Sequence, residues 1–219
     1  MIPRILEPEV MDTREEARDY DSMDHSKVNR VFVQDFLSVW DRRSPILDVG
    51  TGTAQIPIEL CRQAAEATVI GIDLSAEMLV VGNENVQRAT LTDRIKCELV
   101  NARGLPYAGG SFPAVISNSI IHHIPEPIDC IREMVRVCAP GGVIFVRDLL
   151  RPLDELNLRQ LVNTYAGDAN AHQKKMFADS LHAALDLSEI RDLVAQFGFP
   201  TNSVQATSDR HWTWSARKG

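Results

Sequence analysis

No apolar run in the chain approaches the roughly 18 residues that a membrane-spanning helix needs, so no transmembrane segment is expected. The opening stretch "IPRILEPEVMDTREEARDYD" has no basic start, no sustained apolar core and no small-residue cleavage site, so no secretory signal is expected either. Cys61, Cys97, Cys130 and Cys138 show no CxxC spacing. That pattern argues for reduced thiols in a cytoplasmic protein, and against a disulfide framework or a metal held by cysteine. Clustered cations are missing too. The formal net charge is −7, and the tail "RHWTWSARKG" holds only Arg210, Arg217 and Lys218. Nonspecific affinity for nucleic acid or for an anionic membrane is therefore not expected. Internal repeats, low-complexity tracts and linkers are also absent.

What remains is ordinary and sufficient for a large core. With 219 residues, 44% hydrophobic and 24% charged, the chain fits one α/β domain of average composition. "PILDV" (45–49), "TVIGID" (68–73), "IKCELV" (95–100), "AVISNS" (114–119) and "VIFVRDL" (143–149) read as strands buried on both faces, as parallel strands are. "AQIPIELCRQAAE", "SAEMLVVGNENVQRA" and "EPIDCIREMVRVCA" lie between them with helical spacing. The alternation implies a doubly wound, mostly parallel sheet with its ligand crevice at the carboxyl ends of the strands. Ser75 reads as a helix N-cap, Pro140-Gly141-Gly142 as a helix stop before strand five, and Gly198 as the end of a late helix starting near Ser188. "NSVQATS" and "HWTWSA" read as an antiparallel hairpin at the sheet edge, with both tryptophans on one face packed into the core. Residues 12–40 read as one or two helices forming an amino-terminal cover. Residues 152–186 read as an inserted helical pair forming a cap on the same single domain, 1–219.

The stretch "ILDVGTGTAQIPIEL" (46–60) carries the first functional signal. Gly50 and Gly52 supply two glycines of a GxGxxG pattern, but Gln55 stands where the third would let helix and strand pack closely. No GKS or GKT follows, which excludes a Walker phosphate loop. Asp73 closes the second strand about 20 residues later, where a carboxylate can accept both hydroxyls of a ribose. Asp48, two residues before Gly50, would repel a pyrophosphate and attract a cation. A positively charged nucleoside fits these residues better than a dinucleotide does.

In series, these segments resemble the class I S-adenosylmethionine-dependent methyltransferases. "ILDVGTGTAQIPIEL" is similar to their motif I, and "VIGIDLSAEML" (69–79) to their acidic-loop motif. "LVNARGLPYAGGSFPAVISNSIIHHI" (99–124) and "EMVRVCAPGGVIFVRD" (133–148) resemble the motifs that follow, in the family's order, over roughly residues 44–150. The resemblance implies a Rossmann-like sheet of seven strands ending in an antiparallel hairpin, and S-adenosylmethionine as cofactor. It implies that Gly50, Thr51 and Gly52 pass beneath the cofactor's amino-acid end, with Asp48 toward its ammonium. Asp73 would take the ribose hydroxyls, with Ser75 in the same motif, while Leu74 and Met78 sandwich the adenine. Asn101 and Ala102 would meet the adenine edge, and Asn118 and Ser119 the floor beneath the sulfonium. Tyr20 resembles an amino-terminal tyrosine that closes over the cofactor, with simple helix packing as its other reading.

Three departures from the family pattern narrow the substrate. Asn101 stands where the family commonly has an acid, and Pro113 follows Phe112 where an Asp is usual. Ser117-Asn118-Ser119-Ile120 replaces the (D/N)PP(Y/F) motif of amino-methyltransferases acting on DNA and some proteins. Together with the acidic charge, this points to a small-molecule acceptor, with no nucleic-acid or membrane partner. Methyl transfer requires alignment and exclusion of water more than a side-chain nucleophile. His123 and Asp148 are the candidate catalytic residues, and His122, Arg147 and His172 the candidate substrate contacts. Adjacent residues are not expected to face the same way, so at most one of His122 and His123 is expected to point inward. Arg147 and Asp148 otherwise read as a solvated strand end or an ion pair with the cap. No metal is expected, because two adjacent histidines are not a ligand spacing by themselves. The other readings are a non-catalytic module that binds S-adenosylmethionine, and a nicotinamide-dependent oxidoreductase. Gln55, Asp48 and the terminal hairpin count against the oxidoreductase.

Overall fold

The computed structural model describes residues 1–7 and 13–219, and the chain forms two compact units. The larger unit runs to Asn118 and adds Ile128–Val146 and Ser215–Gly219. Its elements are α1 (Arg14–Ser22), α2 (Ser26–Val39), β1 (Ile46–Val49), α3 (Gln55–Gln63), β2 (Val69–Asp73), α4 (Ala76–Arg88), β3 (Ile95–Leu99), β4 (Phe112–Asn118), α5 (Ile128–Val137) and most of β5 (Cys138–Leu149). The expected amino-terminal helices are thus α1 and α2; residue 12, where that span was taken to begin, lies outside the described residues.

Local chemistry explains the boundaries. Thr13 opens α1 with a reciprocal capping box: its hydroxyl accepts from the Glu16 amide at 3.2 Å, and the Glu16 carboxylate accepts from the Thr13 amide at 3.1 Å. Ser75 caps α4 by accepting from the Met78 amide at 3.1 Å, as the sequence predicts. β1 lies parallel to β2 (Ile46 opposite Val69) and to β4 (Ile46 opposite Ala114), and all four of its residues are buried. β2 lies parallel to β3. Phe32 and Phe36 of α2 pack on Phe145 of β5 with ring centroids 5.2 and 5.9 Å apart, in one apolar core with Ile46, Leu60 and Ile116. Side chains of this size contribute about 1.5–3 kcal/mol each when fully buried.

One turn expectation fails. Pro140-Gly141-Gly142 does not precede the fifth strand but lies within it, since β5 begins at Cys138. The reason is a late partner: the Gly141 amide donates to the Lys218 carbonyl at 2.7 Å, and the Lys218 amide donates to the Gly142 carbonyl at 2.9 Å. A ladder partner that arrives about 75 residues later leaves no local signal.

The smaller unit contains the amino-terminal segment, Ser119–Pro127 and Arg147–Trp214. Its elements are α6 (Glu155–Ala166), α7 (Ala171–Ala183), α8 (Leu187–Ala195), β6 (Val204–Ala206) and most of β7 (His211–Arg217). Asp154, Asn170 and Asp186 cap the three helices with their side chains. α6 and α7 pair as expected and enclose Leu158, Leu161 and Leu181 with Ile2 and Leu149. β6 and β7 are antiparallel, and Trp212 and Trp214 are fully buried on one face of β7. The strand order is β3-β2-β1-β4-β5-β7-β6, a seven-stranded sheet with a parallel core and an antiparallel end. Among the described residues, no helix is long and apolar enough to cross a membrane.

Candidate functional site

The glycine loop between β1 and α3 is held from three sides. Its Gly50 and Thr51 amides donate to the Ile72 carbonyl at 2.9 and 2.8 Å. The Gly52 amide donates to Asp73 Oδ2 at 2.8 Å, and the Ser75 amide donates to Asp73 Oδ1 at 2.9 Å. Gly52 has φ +52°, a conformation that L side chains rarely adopt. Two further glycines, which the sequence does not flag, let neighbours close on the loop. A Cβ at Gly71 would stand 2.6 Å from Thr51 Oγ1, and one at Gly82 would stand 3.1 Å from the Gly52 carbonyl oxygen. β2 therefore closes on the Thr51 side chain and α4 on the loop backbone, and the loop's shape is preset.

Two carboxylates dominate its electrostatics. Asp48 is 1% exposed, and its Oδ2 has no hydrogen-bond partner within the protein. Burial pushes its pKa up to about 7, with a further push from Asp73. The Thr51 hydroxyl lies against this carboxylate without a well-aligned bond, so it offsets only part of the rise. Asp73 is also raised by burial, with the Ser75, Gly52 and Leu74 amides pulling the other way. A buried, unpaired carboxylate is costly, and a cation beside it removes the cost.

Around this pair the structure gathers the other residues matched to the cofactor. Tyr20 packs with Ala17, Met78 and Val81, and its Cε1 lies 4.0 Å from the position of a Cβ on Gly52. Its hydroxyl is pushed up to about 12 by burial and then by Asp73, Asp21 and Asp48. Met78 is enclosed in that cluster, whereas Leu74 stays 40% exposed beside Asp73, an apolar surface available to a planar ring. The Val100 amide donates to the Asp73 carbonyl at 2.9 Å, which brings Asn101 and Ala102 close in the chain. Asn101 is exposed, and its Oδ1 already accepts from the Arg103 amide at 2.9 Å. Gln55, which replaces the third glycine, donates to Asp21 Oδ1 at 3.0 Å. Asn85 donates to the same oxygen at 2.8 Å and to the Thr53 carbonyl at 3.0 Å. Sequence inspection misses this network, which joins α1, the loop and α4, because amides carry no motif.

A second polar cluster lies in the smaller unit. Ile121–His123 form a 3₁₀ turn. Asp148 Oδ2 accepts from the Ile121 amide at 2.5 Å, and Oδ1 lies 2.5 Å from His122 Nδ1. Burial acts against the charge on both partners, yet each ends up favouring its charged form: Asp148 is held below the usual carboxylate range and His122 is raised. Two expectations are corrected here. The rings of His122 and His123 lie 4.1 Å apart between centroids, because a tight turn does not alternate side chains as a strand does. Arg147 and Asp148 form no solvated strand end; both are buried, and Arg147 donates to Thr213 Oγ1 at 2.8 Å. Asp148 Oδ1 lies against the ring of His122, and the charge of the same carboxylate also interacts with His123, the other candidate catalytic residue. Glu7 joins this cluster, 3.5 Å from His122 Nε2 and 3.2 Å from His123 Nδ1, with nothing in the sequence to announce it. Ser119, at φ +60°, donates its amide to the Arg147 carbonyl at 2.9 Å; Asn118 is half-buried at the end of β4, and His172 is exposed in the first turn of α7.

Residues 47–146 match the model of a methyltransferase domain. The chain is 29% identical to demethylmenaquinone methyltransferase from Porphyromonas gingivalis, covering 84% of this chain and 81% of that one. It is 28% identical to 27-O-demethylrifamycin SV methyltransferase from Amycolatopsis mediterranei, over 79% of this chain but only 61% of that protein's length. Among solved structures it resembles a protein from Methanococcus maripaludis assigned as an S-adenosyl-L-methionine-dependent methyltransferase. That likeness has a TM-score of 0.72 at 14% identity and covers 98% of this chain and 97% of the other, so it is one of fold.

Proposed function

We propose that the chain, whose residues 47–146 match a methyltransferase domain, is a class I S-adenosylmethionine-dependent methyltransferase and transfers a methyl group to a small organic acceptor. The observation that carries the reading is the buried Asp48 carboxylate, whose Oδ2 has no hydrogen-bond partner, beside a preset glycine loop. It suits an ammonium and repels a phosphate. When bound, S-adenosylmethionine supplies an electrophilic methyl group for in-line displacement. The protein's own contribution is to hold and orient. Asp48 draws in the amino-acid end. Asp73, whose Oδ2 accepts from the Gly52 amide and whose Oδ1 accepts from the Ser75 amide, keeps further acceptor capacity for the ribose hydroxyls. Leu74, Ser75, Met78, Asn101 and Ala102 surround the base, Asn118 and Ser119 line the floor, and Tyr20 covers the loop.

On the acceptor side we assign roles to His122, His123, Arg147 and His172, with Asp148 positioning the His122 ring. A small acceptor is supported by the absence of the (D/N)PP(Y/F) motif and by the net charge of −7. The two relatives named above have small-molecule substrates in their names.

Calorimetric titration tests the cofactor. S-adenosylmethionine and S-adenosylhomocysteine should bind and NADH should not; the reverse pattern would overturn the reading. Asp73→Ala should weaken binding, and unchanged affinity would remove Asp73 from the ribose. Turnover on a panel of small acceptors then separates an enzyme from a binding module.

A further inference from the structure

We propose that Glu7, His122 and His123 form a binding site for a single divalent transition-metal ion of the zinc type. One donor atom from each residue lies within 4.8 Å of the others. Glu7 Oε1 stands 3.5 Å from His122 Nε2 and 3.2 Å from His123 Nδ1. Two donors that each sit about 2.0–2.1 Å from a tetrahedral zinc are themselves about 3.3 Å apart, so both separations suit a shared ion. The two imidazole donors lie within 4.8 Å of each other, and their closing on a shared ion completes the triangle.

Alignment favours an ion over a simple pair. Glu7 Oε1 is buried, and despite two ring nitrogens at these distances it has no hydrogen-bond partner. A buried carboxylate oxygen left this way loses free energy, and a cation at the point where the donors converge restores it.

The surroundings are those of a built site. Asp148 Oδ1, 2.5 Å from His122 Nδ1, fixes that ring with a proton on Nδ1, so that loss of the other proton as a metal enters frees the Nε2 lone pair, the carboxylate–histidine arrangement that orients a metal ligand. Ser180 Oγ donates to the other Glu7 oxygen at 3.2 Å. Glu7 also sits at the end of an anchored segment. Arg4 Nε donates to the Ala183 carbonyl at 2.7 Å and its Nη2 to the Ile124 carbonyl at 3.0 Å, while the Ile5 amide donates to the His182 carbonyl at 3.1 Å. The adjacent histidines lacked a third donor when judged by spacing alone; the fold brings one from the other end of the chain. Two imidazoles and one carboxylate leave a fourth position for a water or another oxygen donor, as in zinc sites that do chemistry. Metal entry displaces whatever proton the three side chains share.

The test uses the untagged full-length chain, stripped with a chelator and titrated with Co²⁺ by absorption and with Zn²⁺ by calorimetry. The expected result is one equivalent of each, with cobalt bands of a nitrogen–oxygen site and no thiolate charge-transfer band. Asp148→Asn should weaken binding by about 10–100-fold, and Glu7→Gln by more. His123→Asn provides a second ligand deletion if Glu7→Gln fails to fold, with thermal melts of the metal-free variants as the check. Absence of stoichiometric binding, a thiolate band, or wild-type affinity in a folded Glu7→Gln protein would each overturn the proposal. The titration runs without S-adenosylmethionine, so its outcome is independent of the cofactor reading.

Discussion

Between about pH 5.5 and about pH 7, the affinity for S-adenosylmethionine should rise roughly fifteenfold, because binding waits on the ionisation of Asp48. Burial raises this carboxyl to about 7, so in the free protein it is mostly neutral in mildly acidic solution. Its charged fraction climbs from about 3% at pH 5.5 to about half at pH 7, a difference of about 1.6 kcal/mol if only the carboxylate holds the ammonium. The window is chosen because an α-amino group titrates near pH 8 and is fully charged below about 7. The linkage also has a stability side. A folded pKa above the unfolded value of 3.8 means that the free protein loses stability as pH rises from about 4 to about 7, and levels off beyond. A saturating bound cation should flatten that slope, because the gain in affinity over the window offsets the loss of stability. Isothermal titration at several pH values, in buffers of different ionisation enthalpy, measures both affinity and proton release. S-adenosylhomocysteine should show the same slope, since it keeps the ammonium and lacks only the methyl group and the sulfonium charge that goes with it. Asp48→Asn should flatten the dependence. A flat wild-type profile, or a slope that survives in Asp48→Asn, would refute the assignment.

Two further perturbations test the scaffold around the loop. Gly71→Ala places a methyl group 2.6 Å from Thr51 Oγ1 and should cost about 1–3 kcal/mol in a urea melt, with weaker cofactor binding; an unchanged midpoint would show that the loop yields. Arg94 donates to the Cys61, Ala64 and Ala67 carbonyls at the end of α3, at 2.9, 2.5 and 2.8 Å. Arg94→Ala should therefore lower stability by about 1.5–3 kcal/mol and speed amide exchange in the last turn of α3; unaltered exchange there would argue against the capping role.

The parallel core was legible because its signals are local. Short Val/Ile-rich runs, glycines between strand and helix, and Asp73 about 20 residues later all follow from backbone propensity and spacing. The paired tryptophans of β7 were placed correctly by alternation alone. Where the reading failed, the missing partner was remote. Pro140-Gly141-Gly142 looked like a stop until Lys218 paired with it. Gly71 and Gly82 look unremarkable in sequence, and only contact with Thr51 and the Gly52 carbonyl shows why a side chain is excluded there.

The sequence by itself determined the order of elements, the glycine loop and the identity of its two acids, since each depends on residues close in the chain. Tertiary structure decided how those residues behave. The charge state of Asp48 depends on how completely packing strips water from it. Which histidine Asp148 holds was fixed by a 3₁₀ turn rather than by strand alternation. The meeting of Glu7 with His122 and His123 follows from an amino-terminal segment bonded to residues far along the chain. Charge and proximity are sums over neighbours that the fold supplies, and no spacing in the sequence encodes them.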